Sequence, residues 1–263
     1  MRIIILTGSN YYQNYFTNTI NNSHKIEAVF INGKGTQLSR LKKFFKKYKF
    51  NFFKYLKNRK NNIKIDNILY PQSKDEKIMI CNQIFSQNYN KINDDIKTYY
   101  DENKSFIDWL DEIKSISPDI IIVHGGGWVV NRIIDLAKIT TINLHWGYSP
   151  HYRGSFCTPF CVYNKDFRKI AVTIHKLTQK IDGGDIFGVC FPTLNKSESI
   201  YGIEMKLTKE GTRFIINLLN KFKSGKDVKT NKQDLSIGNL YLSKKMNIKI
   251  AKVVAENLSL LNE

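Results

Sequence analysis

The amino-acid sequence predicts a doubly wound α/β domain with a mostly parallel sheet, extended at its C-terminal side by a small helix and hairpin. Three observations predict it. Short apolar runs recur at 2–7 (RIIILT), 26–31 (IEAVFI), 119–124 (DIIIVH), 140–145 (TTINLH), 170–177 (IAVTIHKL) and 186–191 (IFGVCF). They lack clean alternation, as strands covered on both faces do. Segments of helical periodicity lie between several of them, which is the pattern of βαβ units.

Taken in order, the first run carries one charge and stops at Gly8, too short for the apolar region of a signal peptide, and reads as a strand. The segment 38–60, LSRLKKFFKKYKFNFFKYLKNRK, sets Leu41, Phe44, Phe45, Tyr48, Phe52, Tyr55 and Leu56 near one helical face. Arg40, Lys42, Lys43, Lys46, Lys47 and Lys49 surround that face, the profile of an interfacial amphipathic helix that can make a peripheral membrane contact. The simpler expectation is that its aromatic face covers the sheet or a second subunit while the lysines are solvated. A helix over 104–116 ends at Ser117–Pro118, and a long one over 199–223 opens after the capping residue Ser197 and stops at Gly225. Beyond it a polar tail with a turn signal at Gly238–Asn239 predicts a small hairpin and then a last short helix. The expected organisation is the α/β domain over 1–210, followed over 211–263 by the end of the long helix and the extension.

Composition narrows the function classes. With 263 residues, 42% hydrophobic and 13% aromatic, the chain is far from the disordered regime, and it has no apolar run long enough to cross a bilayer. Cys81, Cys157, Cys161 and Cys190 are too sparse for a disulfide scaffold and fit free thiols in a reducing cytoplasm. The formal charge of +18 attracts phosphate groups, but Lys and Asn are spread along the whole chain, so a generally basic surface is expected rather than an obligate nucleic-acid face.

The chemistry concentrates in NLHWGYSPHYRGS at 143–155. On a strand, side chains alternate with a period of two, so Asn143 and His145 point to one face. At the carboxyl end of a strand in an open α/β sheet, that face is where ligands bind. An imidazole moves protons near neutral pH and an amide N–H stabilises a developing oxyanion, a pairing suited to acyl chemistry. Asp182, in IDGGD, is the candidate to orient the imidazole, and its glycines allow a tight loop close to a ligand. Upstream, HGGGWVV at 124–130 has an esterase-like look, but no GxSxG nucleophile elbow accompanies it. A zinc site from His145, His151, Cys157 and Cys161 has suitable ligand types but matches no compact zinc spacing, and no metal is expected.

The ordered set GGGWVV (125–130), TINLHWGYSPHYRGS (141–155) and AVTIHKLTQKIDGGDI (171–186) resembles the folate-dependent formyltransferases, which include glycinamide ribonucleotide, methionyl-tRNA and nucleotide-sugar enzymes. The resemblance covers about residues 1–210 and implies a formyltransferase-like Rossmann variant that uses N10-formyltetrahydrofolate as co-substrate. It places Asn143, His145 and Asp182 at the catalytic positions. Gly126, Gly127, Trp128, Val129 and Val130, with Gly183, fall in the folate pocket. It gives substrate contacts to Gly8, Ser9 and Asn10, to Tyr152, Arg153 and Gly154, and to His175. Among acceptors, the tail after about 225 is too short for the barrel of the tRNA enzymes and longer than the purine enzyme's ending. It resembles the extension of nucleotide-sugar enzymes, implying a dTDP-4-amino-4,6-dideoxyhexose for a surface polysaccharide, and a homodimer. From another class, the 38–60 segment alone predicts a basic membrane- or nucleic-acid-binding protein.

Overall fold

The computed structural model describes residues 1–33, 41, 44–45, 51–86, 88–195 and 198–262. Seven strands form one sheet: β1 (Ile3–Thr7), β2 (Ala28–Ile31), β3 (Thr98–Tyr100), β4 (Ile120–His124), β5 (Thr140–His145), β7 (Val172–His175) and β8 (Ile186–Cys190). Two more, β6 (Tyr152–Gly154) and β9 (Asn239–Tyr241), form a small second sheet. The large sheet runs in the order β3-β2-β1-β4-β5-β7-β8. It is parallel from β3 to β5, while β7 and β8 pair antiparallel. This is the mostly parallel α/β sheet that the sequence predicts.

The absence of alternation in the runs now has its physical reason. In β1, Ile3 and Ile5 face one layer together with Val29, Ile122, Ile142 and Leu144, against Phe16, Ile203, Leu207 and Ile215 of two helices. Ile4 and Leu6 face the other with Phe30, Ile121 and Val123, against Phe106, Trp109, Ile113 and Ile133. Side chains of both parities are buried, so both must be apolar.

The helix Tyr11–Ser23 is started by a capping box of Asn10 with Gln13. The long helix Ile200–Lys223 is capped by Ser199, whose side chain accepts the Gly202 N–H, whereas the expected cap Ser197 lies outside the described residues. Gly211 lets this helix approach the sheet: a Cβ there would stand 2.7 Å from Leu144 and 3.1 Å from Val172. The predicted 104–116 helix opens as a 3-10 turn, Phe106–Trp109, continues as Leu110–Ile116 and ends at left-handed Ser117 before Pro118.

The tail departs from the expected hairpin. Asn239–Tyr241 pairs parallel with Tyr152–Gly154, in register Tyr152↔Asn239 to Gly154↔Tyr241, so its partner is the loop after β5 and not a neighbouring tail strand. The reason is a close approach that needs glycine. Gly154 has φ +99°, and a Cβ on it would run into the Tyr241 carbonyl. Gly154→Ala is expected to cost about 1–3 kcal/mol of stability, read as a lower denaturant midpoint. The helix Ile248–Leu258 then packs on Cys157–Tyr163, where Asn257 Nδ2 donates to the carbonyls of Val162 and Tyr163 at 3.1 Å.

Much of segment 38–60 lies outside the described residues. Within it, Phe44 meets Tyr55 edge-on with centroids 5.0 Å apart. The helix Phe52–Leu69 reaches the core through Ile65 and Leu69, beside Ala251 and Val254, and leaves Phe53 84% exposed. Among the described residues, no helix is long and apolar enough to cross a membrane.

Candidate active site

At the carboxyl ends of β4 and β5 lies a cleft of about 480 Å³ whose floor holds Asn143, His145, His175 and Asp182. The first two share a face of β5, and the antiparallel register sets His175 opposite Asn143. Asp182 joins them from a loop in which it takes φ +46°, a conformation that costs a non-glycine residue energy and persists only where the surroundings hold it. They do. Gln233, from the tail, donates to the carbonyls of Asp182 (3.0 Å) and Gly184. The Gly154 N–H donates to Asp182 Oδ2 at 2.8 Å.

Around the carboxylate, His145 Nδ1 stands 3.5 Å from Oδ2 and His175 Nε2 3.4 Å from Oδ1. The Asn143 amide donates to His175 Nε2 at 3.1 Å and lies 3.4 Å from Asp182 Oδ1. His175 Nδ1 donates to the Lys176 carbonyl at 2.7 Å, which leaves Nε2 as the acceptor for Asn143. His145 Nε2 donates to the Tyr152 carbonyl at 3.0 Å. Burial raises the Asp182 carboxyl, but the neighbouring His145 and His175 rings and the Gly154 N–H outweigh it and hold Asp182 ionised, below the usual carboxylate range. Burial pushes His145 below its ordinary value against the pull of Asp182, so the ring rests neutral at pH 7 with a carboxylate ready to receive its charged form. The grouping can take up a proton and stabilise an oxyanion in one place.

The wall supplied by β4 has three successive left-handed glycines, Gly125, Gly126 and Gly127. Gly125, Gly127, Trp128 and Val129 line the cleft, with Trp128 60% exposed. Gly126 packs against the Thr7 backbone and its carbonyl accepts from Asn32 Nδ2, while Val130 caps the short helix Asn131–Ile134. Gly183 abuts Leu235, leaving Ile181 and Asp182 to face the cleft.

The expected substrate residues divide. Tyr152 donates its hydroxyl to Asp166, and Arg153 donates to the carbonyls of Pro150 and Leu235, so this loop meets the site through its backbone. Gly8 is roofed by the Gln13 amide. Ser9 and Asn10 line an adjoining cleft of about 670 Å³. Among the described residues, no group of three His, Cys, Asp or Glu side chains converges as a metal site would require, and burial raises the thiols of Cys157 and Cys161 above their ordinary value.

Several site residues went unseen in the sequence: Tyr12, Tyr70, His124, Trp146, Glu204 and Gln233. His124 is buried, pushed down to about 3 by desolvation, with its ring edge-on to Tyr12 and Trp146. Glu204 had a signal, a charged residue on the apolar face of the long helix. It is 6% exposed and pushed up to about 8 by burial. A folded-state value raised above the ordinary 4.5 gives a stability contribution that is full below 4.5 and lost as pH rises through 8. Thermal melts of Glu204→Gln should therefore fall less steeply than wild type between those pH values.

No protein-family model matches the chain. In sequence it is similar to the methionyl-tRNA formyltransferase of Sulfurihydrogenibium sp. (strain YO3AOP1), 31% identical over 118 residues, which is 44% of this chain and 37% of that protein. The chain spans less than half the length of the curated relatives it matches. In fold it is similar to the N-formyltransferase from Helicobacter canadensis in complex with folinic acid and dTDP-3-aminofucose, with a TM-score of 0.60 and 14% identity over 98% of this chain and 81% of that one. It is also similar to a 4-N formyltransferase from Francisella tularensis, with a TM-score of 0.56 and 17% identity over 97% and 87% of the two chains. At identities this low the structural similarity shows a shared fold and no more.

Proposed function

We propose that this chain, a relative of the folate-dependent formyltransferases by fold and by motif, moves a formyl group from N10-formyltetrahydrofolate to the amine of a nucleotide-linked amino sugar. One observation carries the reading: Asn143, His145, His175 and Asp182 converge on one cleft floor. The amine nitrogen attacks the formyl carbon and the carbonyl pair moves onto oxygen, where the Asn143 amide donates in place of its long contact to Asp182. His145 takes the proton of the attacking nitrogen at Nδ1, so that imidazolium and Asp182 end paired. Collapse breaks the bond to N10, which takes the proton from the His145 imidazolium and returns the ring to its neutral state. Trp128, Val129 and the glycine wall, with Gly183 behind the Asp182 loop, hold the folate in this reading.

For the acceptor, the support is that fold similarity runs over 98% of the chain for a sugar 3N-formyl transferase and for the N-formyltransferase in complex with dTDP-3-aminofucose, against 85% for phosphoribosylglycinamide formyltransferase from Streptococcus pneumoniae. A dTDP-4-amino-4,6-dideoxyglucose destined for a surface polysaccharide is the preferred acceptor, handled in the cytoplasm by a homodimer. The basic surface suits the diphosphate. The test is incubation with N10-formyltetrahydrofolate and a panel of dTDP-, UDP- and GDP-amino sugars, glycinamide ribonucleotide and initiator methionyl-tRNA, followed by product mass. Formylation of one amino sugar is expected; formylation of the tRNA or of glycinamide ribonucleotide alone would replace the acceptor.

A second reading rests on the helix Phe52–Leu69, where Phe53, Leu56 and Ile63 are exposed among Lys54, Lys57, Arg59, Lys60 and Lys64. Such a face fits an anionic membrane surface. Vesicle binding that falls steeply with salt supports it, and binding indifferent to both lipid charge and salt excludes it.

A further inference from the structure

Two substrates must meet within bonding distance, and the structure offers two adjoining clefts. The one of about 480 Å³ holds Asn143 and His145, and the one of about 670 Å³ is lined by Ser9, Asn10 and Lys77. Tyr12, Tyr70, Trp146 and Glu204 line both and so form the wall where they join. Among the described residues, no Lys, Arg or His side chain is within ion-pair distance of Glu204. Its described side-chain partner is the Tyr70 hydroxyl, donating to Oε1 at 3.0 Å. A buried carboxyl with one hydrogen bond and no counter-ion is an incomplete arrangement. Nothing in the transfer chemistry above uses it.

We propose that Glu204, flanked by Tyr12, Tyr70 and Trp146, is the receiving subsite for the acceptor's amino group, which arrives as an ammonium. The inference rests on the formyl-transfer reading and adds the feature of the acceptor that is recognised. A carboxylate with aromatic side chains around it is suited to a primary ammonium, through a charge-assisted hydrogen bond and the attraction of a cation to ring faces. It also answers a chemical need, because an ammonium has no lone pair with which to attack. Burial keeps Glu204 protonated at neutral pH, so the ammonium enters as that proton leaves to solvent. Within the pair one N–H bond then breaks and one O–H bond forms: the ammonium proton passes to the Glu204 carboxylate oxygen, and nitrogen keeps the electron pair. The product is a neutral amine beside a neutral carboxyl, the state in which burial already favours Glu204. The freed amine then faces the formyl group over Asn143 and His145.

The experiment compares wild type, Glu204→Gln and Glu204→Asp in three titrations: dTDP-4-amino-4,6-dideoxyglucose and dTDP-3-aminofucose, dTDP alone, and 5-formyltetrahydrofolate. At pH 7, Glu204→Gln is expected to weaken amino-sugar binding by about tenfold or more. Binding of dTDP alone and of the folate should stay at the wild-type level, which also shows that the variant is folded. The deficit should shrink towards pH 9, where the amine arrives neutral, and Glu204→Asp should restore part of it. A merely structural role would weaken all three ligands and show no such pH dependence. Unchanged amino-sugar affinity in Glu204→Gln, in a wild-type background that formylates these sugars, overturns the inference alone. A wild-type protein that transfers formyl to no amino sugar of the panel overturns the functional reading and the inference with it.

Discussion

Replacing His145 by alanine is expected to lower turnover by about a hundredfold or more, with folate affinity close to wild type. The ring rests neutral, donates Nε2–H to the Tyr152 carbonyl and presents Nδ1 to Asp182. It is therefore set to accept one proton and to hold the charge against a carboxylate. Removing it leaves the Asn143 amide and His175 in place, so oxyanion stabilisation should survive and a residual rate remain. Single-turnover kinetics at saturating folate read the effect directly. Near-normal turnover in this variant would remove His145 from the chemistry.

Asp182→Asn is expected to have the second large effect, again about a hundredfold or more in turnover, joined to a loss of stability. The carboxylate is the shared partner of His145, His175 and the Gly154 N–H, and its loop is tied to the tail by Gln233. An asparagine offers one acceptor oxygen where the carboxylate offers two, so one of these contacts is lost or replaced by two facing donors. Because the folded state holds Asp182 below the ordinary 3.8, its contribution is fully present above that pH and is lost progressively as pH falls from there towards the lower folded-state value. Denaturant midpoints of wild type and variant should differ most near pH 7 and draw together below pH 4. A constant gap across that range would mean that Asp182 carries no special charge in the fold.

The sequence made the large sheet legible because each strand covered on both faces needs apolar side chains of both parities, and long apolar runs result. Strands of three residues leave no such mark: Thr98–Tyr100 at the sheet edge, Tyr152–Gly154 and Asn239–Tyr241 each emerge only from their partners. The turn at Gly238 was readable and the strand after it was not assignable, since its partner lies in the loop after β5 rather than next to it in the chain. Asn143 and His145 were legible for a local reason, a period of two at a strand end, and Asp182 through its flanking glycines. Glu204, Tyr70 and Gln233 reach the site through contacts with residues far away along the chain, and no local pattern encodes those. Tyr152 and Arg153 show the converse, a motif whose side chains hold the loop while its backbone meets the site. The buried glutamate was the one available warning, because a charge on an apolar helix face is rarely left without a role.

The most direct test of the central claim is single-turnover transfer of an isotope-labelled formyl group from N10-formyltetrahydrofolate to dTDP-4-amino-4,6-dideoxyglucose, compared between wild type and an Asn143→Ala, His145→Ala double variant that still binds the folate. The account predicts labelled formamide on the sugar with wild type and a rate reduced by at least about a thousandfold in the variant. Labelled product forming equally fast without these two side chains would contradict it.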